Sequence, residues 1–266
     1  MSMIILGDNM SVLPKIESGT VNLIYIDPPF NTGKDREYTR VKNKKSGIIK
    51  LSTIEFKDSF NDYISFLAQR LNEAYRILTD DGSIFVHLDY REVHYCKVLM
   101  DSIFGRKCFM NEIIWSYDFG GRSTKRWSPK HDNILWYVKN PRKYTYNYDA
   151  IDRIPYISKS WVSEEKFEKG KTPTDVWWHT IVHTLGKERT GYPTQKPIAI
   201  VERIVKVHSN EGDLLMDFFA GSGTLGEAAA KNNRDYILID NNAKAVEIMK
   251  DRLCKIDENC IISSSF

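Results

Sequence analysis

The four residues Asp27, Pro28, Pro29 and Phe30 place an acid, two prolines and an aromatic ring next to one another. A carboxylate accepts hydrogen bonds and stabilises positive charge, while an aromatic ring can stack on a flat ligand. Neither proline has an N–H and each has a fixed φ, so the acid and the ring are held on stiff backbone. The pattern is typical of a site for a flat ligand, and an ordinary strand end with a proline turn explains it equally well.

A glycine-rich segment is the second candidate for chemistry. Gly221, Gly223 and Gly226 have the GxGxxG spacing, and Asp240 follows 19 residues after Gly221. Glycine lets the backbone approach a ligand closely, and an acid at the end of the next strand can accept hydrogen bonds from ribose hydroxyls. The combination fits NAD, FAD or S-adenosylmethionine, all of which contain adenosine. A glycine turn that only permits tight helix packing is the alternative.

The elements around both segments alternate between strand and helix patterns. Continuous apolar runs predict buried strands, and apolar residues at helical spacing predict helices. Strands are expected at 3–6, 21–26, 83–89, 111–119, 133–140, 213–219 and 234–240, and helices at 62–78, 93–104, 198–207, 225–231 and 243–256. This order predicts an α/β protein with a doubly wound, mostly parallel sheet. The strand ends before Asp27 and before Gly221 are expected to lie side by side where the strand order reverses.

The composition indicates an ordinary globular chain. Its 266 residues are 42% apolar and 27% charged with a net charge of +3, so a nucleic-acid surface must come from local clusters of lysine and arginine. The four cysteines and six histidines lack the spacing of metal sites or disulfide frameworks. No apolar run approaches the roughly 18 residues that a membrane span requires. We therefore expect a cytoplasmic protein with free thiols, no metal and no membrane segment.

Three motifs in a fixed order resemble a known family. DPPF at 27–30, YPTQKP at 192–197 and DFFAGSGT at 217–224 are similar to the amino-methyltransferases of DNA, which use S-adenosylmethionine to methylate adenine or cytosine. The order resembles the β class, a circularly rearranged Rossmann-like sheet. The segments at 27–33, 83–105 and 188–197 also resemble type III modification subunits and their solitary relatives. The likeness covers most of residues 3–138 and 176–252. Phe30 replaces the commoner tyrosine, and Phe218 stands where proline is frequent.

The resemblance implies a role for each residue of the DPPF motif. Asp27 and the carbonyl of Pro28 would accept the two hydrogens of the target amine, and Pro29 would keep the turn free of an N–H. Phe30 would stack on a base flipped out of the duplex. The methyl group would pass to the amine by direct in-line attack. An acid at position 27 favours N6 of adenine, whereas serine marks the enzymes of cytosine N4.

The resemblance also implies a site for S-adenosylmethionine. Asp240 would accept hydrogen bonds from the ribose hydroxyls, Asp8 would contact the adenine amine, and Lys196 would help to hold the methionine carboxylate. For Asp8 a helix N-cap is an equally good explanation, and for Lys196 a solvated surface position. The other residues assigned to the cofactor are Thr194, Gln195, Asp217, Phe219, Ala220, Gly221, Ser222, Gly223 and Thr224.

Two basic segments are candidates for contact with double-stranded DNA. Residues 34–50 include seven basic and two acidic side chains, and residues 120–131 add four more basic ones around Trp127. Such charges neutralise phosphates without reading the sequence. Either segment alone would also suit a solvated loop, and 34–50 is expected to be a mobile loop because it is charged and aperiodic. The candidate DNA contacts are Lys42, Lys44, Lys45, Arg122, Lys125, Arg126 and Lys130.

The implied organisation is a catalytic half at 1–115, a target-recognition region at 116–191 and a cofactor half at 192–266. A homodimer is a family expectation, and the chain would serve either beside a cognate restriction enzyme or alone. Four alternatives stay open: methylation of cytosine N4 in DNA, methylation of RNA or of a protein glutamine, a nicotinamide-dependent oxidoreductase, and a DNA-binding subunit without catalysis. The oxidoreductase shares the glycine loop but leaves DPPF and TQKP unexplained.

Overall fold

A nine-stranded mixed sheet and a separate two-stranded hairpin make up the β structure in the computed structural model, which describes residues 2–44, 47–183 and 185–263. The strands are β1 (Met3–Leu6), β2 (Val21–Ile26), β3 (Arg36–Lys44), β4 (Gly47–Phe56), β5 (Leu78–Leu88), β6 (Phe109–Ser116), β7 (His131–Val138), β8 (Val176–Trp178), β9 (Leu214–Asp217), β10 (Asp235–Asp240) and β11 (Ile261–Ser263). The order in the large sheet is β11-β1-β10-β9-β2-β5-β7-β6-β8. Only β7 runs antiparallel to its neighbours there, so the predicted mostly parallel α/β sheet is confirmed.

Strands β2 and β9 are neighbours at the point where the strand order of the sheet reverses its direction. From β2 the chain continues to β5 on one side, and from β9 it continues to β10 on the other. Ile24 of β2 pairs in parallel with Met216 of β9, so Asp27 and Phe219, each three residues further on, leave the sheet at the same level. Such a switch point is where open α/β sheets bind ligands.

Within the described residues, seven α-helices connect the strands. They are α1 (Asn9–Val12), α2 (Tyr63–Ile77), α3 (Val93–Ile103), α4 (Glu164–Lys169), α5 (Ile198–His208), α6 (Thr224–Lys231) and α7 (Ala243–Leu253), with 3₁₀ turns at Leu13–Lys15, Arg106–Cys108, Tyr148–Ala150 and Lys159–Trp161. Helix α2 packs against α3 and β5, while α5 packs against α6 and β2.

Helix α2 illustrates how the sequence builds these elements. The Asp62 side chain accepts a hydrogen bond from the Ser65 N–H at 2.9 Å and so caps the first turn. Leu67, Leu71 and Ala74 recur at helical spacing and are fully buried in the core. Burying each leucine contributes about 1.5–3 kcal/mol relative to exposure. The helix ends one residue before the predicted limit, and β5 begins five residues earlier than expected, at Leu78.

The basic segment 34–50 is not the irregular loop that the sequence predicts. Strands β3 and β4 pair antiparallel from Arg36↔Phe56 to Lys44↔Gly47. Hydrogen bonds between the two strands supply the order that composition and charge alone do not predict. Lys42 and Lys44 lie on β3, whereas Lys45 lies outside the described residues.

The middle of the chain contributes to the large sheet as well as to irregular structure. Strand β7 pairs with β5, and β8 pairs with β6, although both belong to the segment 116–191. Most of 139–175 is irregular, with one isolated bridge between Ile154 and Lys171. The role of this segment in target recognition stays a prediction. Across the described part of the chain, none of the helices has the length and apolar character to cross a bilayer.

Candidate active site

The carboxyl ends of four parallel strands, β1, β10, β9 and β2, meet at one cleft of about 810 Å³. Its walls include the DPPF motif, the glycine loop, the TQK segment and the acids that follow β1 and β10. The convergence of DPPF with the glycine loop, which the sequence predicts, is therefore present. The base of the β3–β4 hairpin completes the rim through Glu37, Glu55 and Lys57.

Asp27 has one oxygen paired and one oxygen without a partner. Its Oδ2 lies 2.6 Å from Lys196 Nζ, and both side chains are largely buried. Its Oδ1 is buried and receives no hydrogen bond from any described residue. The neighbouring carbonyl of Pro28 likewise accepts none from the described part of the chain. Two acceptors are therefore available side by side at the cleft, which is the arrangement that an –NH₂ group requires.

Lys196 is not the solvated surface lysine of the alternative explanation, because only 8% of it is exposed. Its ammonium also lies 4.8 Å from the centre of the Phe30 ring. The lysine thus lies beside both the carboxylate of Asp27 and the aromatic ring of Phe30. Its predicted contact with a cofactor carboxylate stays a prediction.

The remaining residues of the motif are held by helix α2 and by strand β5. The Tyr63 hydroxyl donates to the Pro29 carbonyl at 2.5 Å, which fixes the turn after the acid. The Phe30 ring lies beside His87, with centroids 6.1 Å apart and an interplanar angle of 26°. Phe30 is half-buried and lines the cleft, so part of the ring faces the space that a base would enter.

The glycine loop has the backbone that its sequence predicts. Gly221 has φ +51° and Gly223 has φ +74°, a region that side chains rarely tolerate. A Cβ on Gly221 would lie 3.1 Å from the Tyr192 ring at the cleft wall. A Cβ on Gly226 would approach Leu238 to 2.6 Å, so this glycine serves helix packing. Gly223 likewise faces Met249 of α7 instead of the cleft.

Two carboxylates frame the loop. Gly221 N–H donates to Asp240 Oδ2 and Asn242 N–H donates to Oδ1, each at 2.8 Å. Burial raises the pKa of Asp240, although these two hydrogen bonds oppose the shift. Burial also raises the pKa of Asp217 well above its ordinary value, and the nearby charges of Asp27 and Asp240 add to the effect. Asp217 accepts a hydrogen bond from Phe219 N–H at 2.9 Å and so shapes the start of the loop.

Asp8 performs the capping role that the sequence offers as one of its two explanations. Its Oδ1 accepts the Met10 N–H at 3.1 Å, and Arg70 Nη2 lies 3.8 Å away. The exposed carboxylate still lines the cleft, so contact with a nucleoside amine remains open to it.

The polar residues of the TQK segment and of the glycine loop mostly hold local backbone. Gln195 accepts from the Thr190 N–H at 2.8 Å and donates to the Glu188 carbonyl at 2.8 Å. Ser222 and Thr224 both receive hydrogen bonds from Arg252 Nη1. Thr194, with φ +60°, lines the cleft together with Phe219, Ala220, Ser222 and Thr224.

Several residues that the sequence does not single out complete the site. Asn9 donates to the Phe218 carbonyl at 2.9 Å and accepts from Arg70 Nε at 2.8 Å, which ties the end of β1 to the glycine loop. Tyr192 lies against Gly221, and His87 lies beside Phe30. Tyr192 belongs to the YPTQKP motif, but nothing in the spacing of Asn9, Arg70 or His87 signals their partners.

Acidic side chains outnumber basic ones in the lining of the cleft. Its lining contains seven acidic side chains against three basic ones, Lys57, Arg70 and Lys196. A low-dielectric cleft of one sign concentrates ligands of the opposite charge. Among the described residues, no group of three His, Cys, Asp or Glu side chains is placed to hold a metal ion.

The predicted DNA contacts in 120–131 lie in the loop between β6 and β7. Arg122, Lys125 and Arg126 are exposed, and Lys130 is half-buried. Arg122 pairs with Asp118, and Lys130 donates to the Phe119 carbonyl. Because β7 runs antiparallel to β5 and the loop precedes it, the loop lies at the same edge of the sheet as DPPF. Trp127 at its centre is 98% exposed.

A family model described as DNA methylase matches residues 21–251. The chain is 34% identical over 250 residues to the type II methyltransferase M.HpaI of Haemophilus parainfluenzae, with 94% of this chain and 73% of the relative covered. It is 31% identical over 258 residues to the DNA adenine methyltransferase YhdJ of Escherichia coli K12, with 94% and 82% covered.

Solved structures show the same fold. The M1.HpyAVI–SAM complex has a TM-score of 0.62 at 19% identity, and covers 95% of this chain and 99% of its own. The cytosine-N4-specific PvuII DNA methyltransferase has a TM-score of 0.63 at 15% identity, and covers 100% and 96%. At these identities the likeness establishes a Rossmann-like fold and does not distinguish adenine from cytosine.

Proposed function

Because the chain belongs to the DNA methylase family, as its three motifs predict, we propose that it methylates the N6 amine of an adenine flipped out of duplex DNA, with S-adenosylmethionine as methyl donor. The observation that carries this proposal is the pair of available acceptors, Asp27 Oδ1 and the Pro28 carbonyl, beside the glycine loop. An exocyclic amine has two hydrogens and satisfies both acceptors at once.

The cleft fits S-adenosylmethionine. The side-chain-free face of Gly221 leaves room against Tyr192, and Asp240 is held by two N–H groups with its oxygens at the cleft. Asp240 would accept from the ribose hydroxyls, Asp8 from the adenine amine, and Lys196 would contact the methionine carboxylate. Phe219, Ala220, Ser222, Thr224, Thr194 and Gln195 would border the ligand, with Gly223 and Asp217 supporting the loop. When bound, the cofactor supplies a methyl group on a cationic sulfonium.

The residues of the DPPF motif orient the target amine. Asp27 Oδ1 and the Pro28 carbonyl would hold its hydrogens, which directs the nitrogen lone pair towards the cofactor side of the cleft. The Asp27 carboxylate also stabilises the positive charge that develops on the nitrogen. Phe30 would stack on the base, a contact worth about 1–3 kcal/mol. Pro29, tied to Tyr63, keeps the motif rigid.

Adenine is the favoured base for two reasons. Position 27 is an acid, which the family resemblance associates with adenine enzymes. The relative YhdJ, at 31% identity, is named a DNA adenine methyltransferase. Cytosine N4 is the second candidate, since the fold is shared with the cytosine-specific PvuII enzyme.

Duplex DNA would approach the edge of the sheet that carries DPPF, where the exposed Arg122, Lys125 and Arg126 face solvent. The lysines of β3 (Lys42 and Lys44), Lys45 beyond it, and Lys130 are further candidates for phosphate contact. We further propose that the protein forms a homodimer, that it acts beside a cognate restriction enzyme, and that it works in the cytoplasm. The organisation into residues 1–115, 116–191 and 192–266 is proposed on the same basis.

The test is transfer of tritiated methyl from S-adenosylmethionine to duplex DNA, RNA and protein in parallel, followed by sequencing of the methylated bases. We expect label in DNA only, as N6-methyladenine at one sequence. Asp27→Ala should abolish transfer, while Asp251→Ala, an exposed acid on α7, should retain it. Label in RNA or protein, N4-methylcytosine as the product, or full activity of Asp27→Ala would each contradict the proposal.

A further inference from the structure

A buried chain of hydrogen bonds runs behind the DPPF motif. The Tyr25 hydroxyl lies 2.7 Å from His87 Nδ1, and His87 Nε2 lies 3.1 Å from Asp132 Oδ2. The other oxygen of Asp132 accepts the Tyr117 hydroxyl at 3.1 Å. Tyr25, His87 and Asp132 belong to three adjacent strands, β2, β5 and β7, and His87 is fully buried. Neither the motifs nor the proposed function uses this chain.

The two ring nitrogens of His87 have distinct roles. Burial opposes ionisation of Asp132, yet the hydrogen bond and charge of His87 keep the pKa of this carboxyl below its ordinary value. The ionised Asp132 accepts the proton on Nε2, and the opposite nitrogen, Nδ1, is hydrogen-bonded to the Tyr25 hydroxyl. Burial raises the pKa of Tyr25, so its hydroxyl remains a donor. The imidazole is therefore held at both ends in one orientation.

The held imidazole lies directly beside the catalytic aromatic. Phe30 has its ring plane within 26° of the His87 plane, and Trp115 meets the imidazole edge-on at 5.5 Å. Tyr25 lies on β2, two residues before Asp27, which follows the end of that strand. The position of His87 thus limits the positions available to the Phe30 ring.

The far end of the chain lies at the root of the basic loop. Tyr117 N–H donates to the Lys130 carbonyl at 2.9 Å and closes the loop that carries Arg126 and Trp127. Asp132 stands on the other side of the same root, at the start of β7. The hydrogen bonds therefore run from the loop expected to touch DNA to His87, whose ring packs beside Phe30, the ring expected to stack on the flipped base.

We propose that His87 is a positioning residue for base capture. Held between Tyr25 and Asp132, it orients the Phe30 ring towards the target base and couples the position of that ring to the 117–130 loop. The proposal rests on the proposed function, because it assumes that Phe30 stacks on a flipped base. It predicts that loss of the imidazole impairs base capture and leaves cofactor binding intact.

The experiment places 2-aminopurine at the methylated position, once that position is known, and follows its emission on binding. His87→Gln retains a donor and an acceptor but removes the flat ring beside Phe30. We expect its emission increase and its kcat to fall by about fivefold or more, the effect of weakened stacking on one base. The Kd for S-adenosylmethionine should stay unchanged. Tyr25→Phe removes only one hydroxyl and should also lower the emission increase and kcat. This second variant tests the proposal if His87→Gln does not fold.

His208→Gln is the matched control. His208 is also a buried histidine among aromatic rings, 4.3 Å from Trp136 and 4.8 Å from Phe85, and it does not line the cleft. It should lower the melting temperature without lowering the emission increase. Emission and kcat of His87→Gln and Tyr25→Phe equal to wild type, or an equal loss in His208→Gln, would overturn the proposal. If wild-type protein neither methylates DNA nor raises emission, the proposed function itself fails.

Discussion

The pair of Lys196 and Asp27 should stabilise the fold by a measurable amount. The Nζ–Oδ2 distance is 2.6 Å, and the side chains are 9% and 19% exposed. Removing one partner of a buried pair costs about 3–5 kcal/mol, because the other charge stays buried without compensation. The cleft admits some water to Asp27, so we expect Lys196→Met to cost about 3 kcal/mol, the low end of that range. For a chain of this size the melting temperature should fall by roughly 6–12 °C.

A double-mutant cycle isolates the pair from the loss of packing. Asp27→Asn and Lys196→Met are made singly and together, and unfolding in urea gives the free energy of each. The double variant should be more stable than the sum of the single losses implies, by about 2–3 kcal/mol.

If the losses of unfolding free energy in the two single variants add up to that of the double variant within about 0.5 kcal/mol, the pair does not stabilise the fold. Calorimetry with S-adenosylmethionine on the same variants adds a second readout. A charge-assisted contact contributes about 1.5–3 kcal/mol, so a Kd raised roughly tenfold or more in Lys196→Met would also place this lysine on the cofactor carboxylate.

Three further predictions concern other parts of the molecule. Gly221→Ala should raise the Kd for S-adenosylmethionine about tenfold or more through the approach to Tyr192, whereas Gly212→Ala, also at positive φ but with open space around its Cβ, should leave this Kd unchanged. Burial lowers the pKa of His208 to about 3, so between pH 6.5 and 3 the unfolded chain binds a proton that the folded chain does not. Unfolding in urea should then show stability falling by about 1.4 kcal/mol per pH unit over that window relative to His208→Gln. Double substitution of Lys125 and Arg126 by alanine should reduce the slope of log K for DNA against log salt by about 2, and Lys255→Ala, on an exposed segment after α7, should not change it.

Local patterns in the sequence were sufficient to predict most elements. Strand β2 has the predicted bounds, and α5 ends one residue later than expected, because apolar periodicity and proline stops act within a few residues. The hairpin of β3 and β4 was missed, since its order comes from cross-strand pairing that charge and composition do not reveal. The motif order predicted which loops meet, and the cleft contains both of them.

Local sequence patterns could not predict contacts between side chains that lie far apart in the sequence. Lys196 was expected at the cofactor or in solvent, yet it pairs with Asp27 across 169 positions. His87 is a single histidine within an apolar strand, and its partners Tyr25 and Asp132 lie 62 and 45 positions away. Only the strand order β2-β5-β7 brings these three together, and no spacing in the sequence encodes that order.

The acidic lining of the cleft also distinguishes S-adenosylmethionine from NAD and FAD, which the glycine loop alone does not. Asp27, Asp217 and Asp240 lie close enough for their charges to raise the pKa of Asp217, on top of the effect of burial. NAD and FAD would bring a negatively charged pyrophosphate to this edge and increase the repulsion. S-adenosylmethionine brings a cationic sulfonium and an ammonium, which relieve it. The GxGxxG spacing is common to all three ligands, because it provides close backbone approach and helix packing. The charge beside it, supplied by strands from both halves of the chain, therefore favours methyl transfer over hydride transfer.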